Sequence, residues 1–125
     1  PKAIGRSCLP PLIGNRGGIA GDFTVTRTDG DEFWVIGSGM AERYHRRFFK
    51  EVPLPDGTTF ESQTDAGCLC NVAGPRSREL LQRTTNTSLS TEEFPFMRSA
   101  WIELSGIRVL ALRVSFTGDL GWELH

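Results

Sequence analysis

Two carboxylates occupy positions where an apolar strand leaves little room for charge. Asp22 follows Gly17, Gly18 and Gly21 and opens the run Phe23-Thr24-Val25-Thr26-Arg27, and Glu123 lies between Trp122 and Leu124. A carboxylate so placed loses hydration unless something satisfies it, and the chemistry open to it is proton transfer or charge pairing. Periodicity alone favours an outward-facing Glu123 on the polar side of its strand. Cys68 and Cys70 alternate along Ala66–Ala73 and so share one strand face. Their spacing favours two small buried hydrophobes, since only His45 and His125 are available as further soft ligands and no metal site is expected. Gly37-Ser38-Gly39 lies between a strand and a helix, where backbone N–H groups could hold an anion, although a strand-to-helix turn explains the same residues.

The remaining composition narrows the class. The chain has 125 residues, enough for one domain with a real core. Its 14 basic residues nearly balance 15 acidic ones, which gives no electrostatic support to nucleic-acid binding. Polar residues interrupt every apolar run, so no segment reads as spanning a bilayer, and no secretory signal is recognisable. Three cysteines, taken as reduced thiols, favour a cytoplasmic setting, or the mitochondrial matrix in a eukaryote. The chain begins at Pro1 and stops at His125, directly after a strand-like Gly121-Trp122-Glu123-Leu124. It is therefore expected to be a piece of a longer protein, with any site built between domains incomplete.

The elements that must position these groups follow from local pattern. Residues 1–16, rich in Pro, Gly and basic residues with Pro10-Pro11, are expected to form a loop or linker arm. Phe23, Val25 and Arg27 alternate with Thr24 and Thr26, Asp29-Gly30 supplies a hairpin turn, and Glu32–Gly37 returns. Met40–Val52 changes to a helical period, with Ala41, Tyr44, Phe48 and Val52 inward and a solvated face of Arg43, His45, Arg46, Arg47 and Lys50. Pro53–Gly57 stops it. Thr58–Ser62 reads as extended and Cys68–Ala73 as a buried strand. Gly74-Pro75 introduces a second helix to Thr84 with Leu80 and Leu81 inward, and Ser90-Thr91-Glu92-Glu93 has capping-box spacing. Trp101–Leu104 and Ile107–Ser115 form a hairpin around Ser105-Gly106, and a last strand starts near Gly121. The expected fold class is α+β, ferredoxin-like, a mostly antiparallel sheet with two helices packed on one face.

Four ordered blocks add a family reading: Gly17–Val25, Phe33–Ile36, Asn71–Leu81 and Phe116–Leu124. Together they resemble the folate-binding domain of the aminomethyltransferase (glycine-cleavage T-protein) superfamily, over roughly residue 14 to the end. Ile36-Gly37-Ser38-Gly39 and Gly118–His125 are more similar to the branch fused to FAD-dependent dimethylglycine and sarcosine dehydrogenases. The resemblance implies that residues 17–125 are part of a tetrahydrofolate-binding domain that forms 5,10-methylenetetrahydrofolate from a one-carbon donor, with FAD in a separate domain and the rest of the polypeptide as its partner. By position, Asp22 corresponds to the catalytic carboxylate beside the reacting folate nitrogen. Glu123 corresponds to the group pairing with the pterin's amino and ring N–H groups. Thr24 and Ile36 correspond to pocket-lining strand positions, Leu124 and His125 flank the glutamate, and Phe116 stands where many members have Tyr, so a hydroxyl is missing there. The resemblance also implies that arginines and aromatics completing the site lie beyond His125. The glycines would let a bulky pterin approach the backbone while the strand holds Asp22 beside it. The alternatives are an aminomethyltransferase that draws on a lipoyl carrier, and a non-catalytic docking module of the same fold.

Overall fold

Pro10 and Pro11 do not produce an arm. In the computed structural model, which describes residues 1–125, β1 (Arg6–Cys8) and β2 (Pro11–Ile13) lie antiparallel to β4 (Thr24–Arg27) and β3 (Ile19–Asp22) respectively. Cys8 pairs with Val25 and Pro11 with Asp22, a single register running past the prolines. The two runs are thus one ribbon, closed by the Gly14–Gly18 turn with Gly17 at φ 79°. A proline has no N–H to give a ladder, so the ribbon loses hydrogen bonds at Leu9-Pro10 and divides into two short sheets. The expectation of a loop over 1–16 is corrected accordingly.

The rest is α+β with every strand pairing antiparallel and two helices. β4 pairs with β5 (Phe33–Ile36), making the sheet β1-β4-β5 beside the small β2-β3 sheet. A short 3₁₀ turn at Gly39–Ala41 leads into α1 (Glu42–Glu51). Then come β6 (Cys70–Ala73), α2 (Ser77–Gln82), β7 (Ser99–Leu104), β8 (Ile107–Leu112) and β9 (Gly121–Leu124), with the four strands in the order β6-β9-β8-β7. The β7–β8 connection is Ser105-Gly106, at φ 50° and 86°. Positive values at both residues match the twist of the flanking strands, so this two-residue turn fixes their register. The 58–62 stretch, expected to be extended, joins no strand.

The four-stranded sheet is covered on both faces, and alternation along its strands separates two cores. Trp122, Ala111 and Ile102 pack with Leu81 of α2 and with Leu89 and Phe94 from the segment between α2 and β7. That segment is shaped by its cap: the Glu93 N–H donates to Ser90 Oγ at 3.2 Å and the Phe94 N–H to Ser90 O at 2.8 Å. Glu92, fully exposed there, is held below the usual carboxylate range by a backbone N–H first and the Ser90 hydroxyl second. On the opposite face Leu110, Leu112 and Val114 pack against Trp34 and Ile36 of the β4–β5 hairpin, and against Met97 and Trp101. A buried hydrogen bond between Thr26 and Ser99 hydroxyls ties the two sheets.

Several burial expectations are reversed. Leu81 is buried but Leu80 is 58% exposed, because α2 presents only one side to β9. His45 is buried, not part of a solvated face, while Tyr44 and Val52 are exposed: α1 is rotated so that His45 and Phe49 meet Phe23. Cys68 and Cys70 are exposed and Cys8 half-buried, so the buried-thiol reading fails. The cause is position, since β6 is an edge strand of which only Val72 is drawn toward the core.

Candidate functional site

Strand parity decides where β9 sends its side chains. Glu123 lies opposite Leu112 and Leu124 opposite Ala111, so Trp122 and Leu124 join the helix-side core while Glu123 and His125 turn toward the β4–β5 hairpin. The His125 ring meets Trp34 edge-on, with centroids 6.2 Å apart, and its backbone exchanges hydrogen bonds with Leu110 at 2.9 and 3.0 Å. Across this layer, Thr24 pairs in register with Ile36, and Ile36 packs on the Leu110-Leu112-Val114 cluster. Glu123 is therefore not on a solvated face. Its side chain is 25% exposed, and its Oε2 is buried with no hydrogen-bond partner. The nearest cationic candidate, His125 Nε2, stands 3.7 Å away, too far for a hydrogen bond, and is itself buried and unpartnered.

Four of the seven expected residues thus share one layer between the two sheets: Thr24, Ile36, Glu123 and His125. Leu124 faces the other way, into the Trp122 core. Phe116 is fully exposed on the loop before β9, with its ring against nothing. Asp22 sits at the last residue of β3, two positions before Thr24, exposed and without a hydrogen bond or ion pair to the protein. No hydrogen bond or ion pair joins it to Glu123.

The strand that carries Asp22 is held by a close approach. A Cβ added at Gly21 would stand 2.5 Å from His45 Nε2, and one at Gly37 would stand 2.7 Å from the Phe23 ring and 3.5 Å from His45 Nδ1. Only glycine at position 21 lets α1 lie this near the strand end, and only glycine at position 37 leaves room for the Phe23 ring. Gly21→Ala is expected to lower stability by about 1–3 kcal/mol, the cost of overpacking, measured by urea unfolding. Most of that loss should be recovered in Gly21→Ala/His45→Ala, and failure of the second change to rescue would locate the strain elsewhere.

A cleft of about 630 Å³ is a different place. It is bounded by Phe23, Trp34, Gly37, Ser38, His45 and the Thr59–Thr64 segment, and none of the seven residues named above lines it. Its aromatic and acidic lining was not legible as a site, because the contributing residues are scattered along the sequence. His45 could have been flagged as the one imidazole inside an otherwise cationic helix run. A second hollow, about 220 Å³, lies at Arg113, Phe96 and Gly118–Gly121. There burial first, and the Arg78 guanidinium second, push the Arg113 guanidinium below its ordinary range, with Glu92 opposing. No group of three or more metal-ligating side chains converges anywhere, and no helix is long and apolar enough to cross a membrane.

The whole sequence, residues 1–125, matches the GCVT N-terminal domain. The chain belongs to that family. Within it, the chain is 34% identical over 127 residues to mitochondrial dimethylglycine dehydrogenase of Mus musculus, which covers all of this chain but 14% of the relative. Mitochondrial sarcosine dehydrogenase of Homo sapiens is 31% identical over 131 residues, covering 91% of the chain and 14% of the relative. An aminomethyltransferase of Exiguobacterium sibiricum is 30% identical over 123 residues, covering 98% of the chain and 33% of the relative. This GCVT N-terminal domain chain therefore spans only a small part of each relative's length, and its relatives include both dehydrogenases and aminomethyltransferases.

Proposed function

We propose that this chain is part of a tetrahydrofolate-binding one-carbon transfer domain, in a protein that oxidises an N-methyl amine of the dimethylglycine or sarcosine type at FAD held in another domain. The observation that carries the reading is the unpartnered, buried Oε2 of Glu123. A buried carboxylate oxygen without a donor is costly, and a pterin's amino group with its adjacent ring N–H supplies the paired donors it lacks. Thr24, Ile36 and the Trp34 edge give the same layer an apolar wall against which a flat ring can rest. Family membership over the full chain supports the reading from a separate direction.

When bound, tetrahydrofolate would supply the two nitrogens that the one-carbon unit bridges in 5,10-methylenetetrahydrofolate. Glu123 orients the ring, and His125 beside it limits the carboxylate's freedom. Asp22, with its oxygens unoccupied by the protein, takes the proton released at the folate nitrogen. The remainder of the polypeptide closes the site, and the compartment is the mitochondrial matrix in a eukaryote or the cytoplasm otherwise. The match to an aminomethyltransferase along 98% of the chain favours a second reading, in which the donor is an aminomethyl carrier instead of a linked flavin site.

Glu123→Gln tests the first reading. The variant keeps shape and removes charge, so tetrahydrofolate affinity in the complete protein, read by calorimetry, should fall about tenfold or more, since each charge-assisted bond contributes about 1.5–3 kcal/mol. The melting temperature should hold or rise, because an unpaired buried charge is removed. Unaltered affinity would reduce Glu123 to a structural residue.

A further inference from the structure

The β4–β5 hairpin has two faces, and the carboxylate layer uses only one. Thr24, Thr26, Trp34 and Ile36 pair among themselves, and so do Val25 with Val35 and Arg27 with Phe33, which face the other way. On that second side lies the cleft of about 630 Å³, walled by α1 and the Thr59–Thr64 segment. Phe23, Phe49 and Phe60 line it, and Trp34 and Trp101 reach its rim from the first side. Phe33, like Trp101, already carries a guanidinium, Arg27 at 5.5 Å and Arg108 at 4.5 Å respectively. Phe60 stacks on Phe49 at 4.6 Å between centroids, and Ser62 Oγ donates to Glu42 Oε1 at 3.1 Å, so the irregular segment is fastened to α1 as a wall.

The charges in this cleft do not balance. Asp31, Glu32 and Glu61 line it without a cationic partner, whereas its one guanidinium, Arg46, is already paired with Glu42 at 3.5 Å. In a chain whose total charge is nearly zero, that is a local excess of negative charge. The deepest polar group is His45, 7% exposed, which lines the cleft and makes no hydrogen bond to the protein. A neutral imidazole has one nitrogen that can accept an N–H. The carboxylates do not converge as a metal site would require.

We propose that this cleft binds a small protonated amine that retains an N–H. The aromatic faces attract the cation, the three carboxylates supply counter-charge, and His45 accepts the N–H. The proposal does not rest on the folate reading, although Trp34 borders both places.

The test is a calorimetric titration of the full-length protein with trimethylammonium chloride, with tert-butanol as a neutral probe of similar shape. Saturable binding of the cation in roughly the millimolar range, without binding of tert-butanol, is the expected result for an open aromatic and acidic site. Asp31→Asn/Glu61→Gln changes two exposed side chains outside either core, and should weaken the cation about tenfold. Phe49→Leu, which keeps an apolar wall but removes a π-face, should weaken it several-fold. Equal affinity in the double variant, equal binding of tert-butanol, or no saturation by about 50 mM, well beyond the millimolar range expected of combined aromatic and acidic contacts, would each overturn the proposal.

Discussion

Replacing Asp22 by Asn in the complete protein is expected to slow one-carbon transfer to tetrahydrofolate by about a hundredfold or more, the usual loss when a positioned general base is removed. Folate affinity should stay within several-fold, because the assignment gives Asp22 the proton and Glu123 the ring. The structure makes this a clean substitution. Asp22 accepts no hydrogen bond from the protein and forms no ion pair, and its backbone lies in β3 opposite Pro11. Asn keeps the same shape there, so stability should not change. Transfer measured at saturating folate isolates the chemical step; a variant as fast as the parent would remove Asp22 from the mechanism and leave it a solvated strand end.

Trp122→Ala should cost about 3–5 kcal/mol of unfolding free energy, the range for truncating a buried large aromatic. Trp122 is 1% exposed at the centre of the core formed by Leu81, Leu89, Phe94, Ile102 and Ala111. The Arg78 and Arg113 guanidiniums lie over its ring at 5.9 and 5.8 Å, and add cation–π attraction that alanine forfeits. Against a typical domain stability of about 5–15 kcal/mol, such a loss brings the chain near unfolding. Trp122→Phe should cost far less, since the indole N–H is buried without an acceptor and its removal relieves that cost. A chemical-denaturation series comparing the two would contradict the assignment of this core if alanine and phenylalanine proved equivalent. Because Glu123 follows Trp122 in β9, the alanine variant should also loosen the carboxylate layer.

How much of this was legible in the chain depended on whether the signal was local. Ser105-Gly106 between two apolar runs, Asp29-Gly30 before the return strand, and the 3.6-residue period after Met40 carry their own instructions, and the hairpins and α1 stand where those patterns put them. The α+β class followed from them. What local pattern could not supply was the neighbour. Cys68 and Cys70 look like core residues until β6 proves to be an edge. His45 looks like part of a cationic face until Gly21 opens a slot for its ring. Glu123 looks solvated because alternation is a guide to exposure only when one face of a sheet meets water, and both faces of β9 are covered. The family resemblance implied that Asp22 and Glu123 act as a pair, which remains a proposal about the site. The structure gathers Thr24, Ile36, Glu123 and His125 into one layer, with Asp22 at the adjoining strand end.

The interrupted ribbon of β1–β2 and β3–β4 has a consequence for how this part of the molecule can vary. The prolines uncouple its outer half, closed by the Gly14–Gly18 turn, from the inner half, whose register with β5 is set by its own pairs. A register slip already occurs between Leu12 and Ile13 without disturbing Thr24 or Ile36. The tip beyond Leu12 and Gly21 is thus free to lengthen or shorten over evolution, like a handle that can be refitted while the blade keeps its edge, whereas Gly21 and Asp22 stay fixed beside His45.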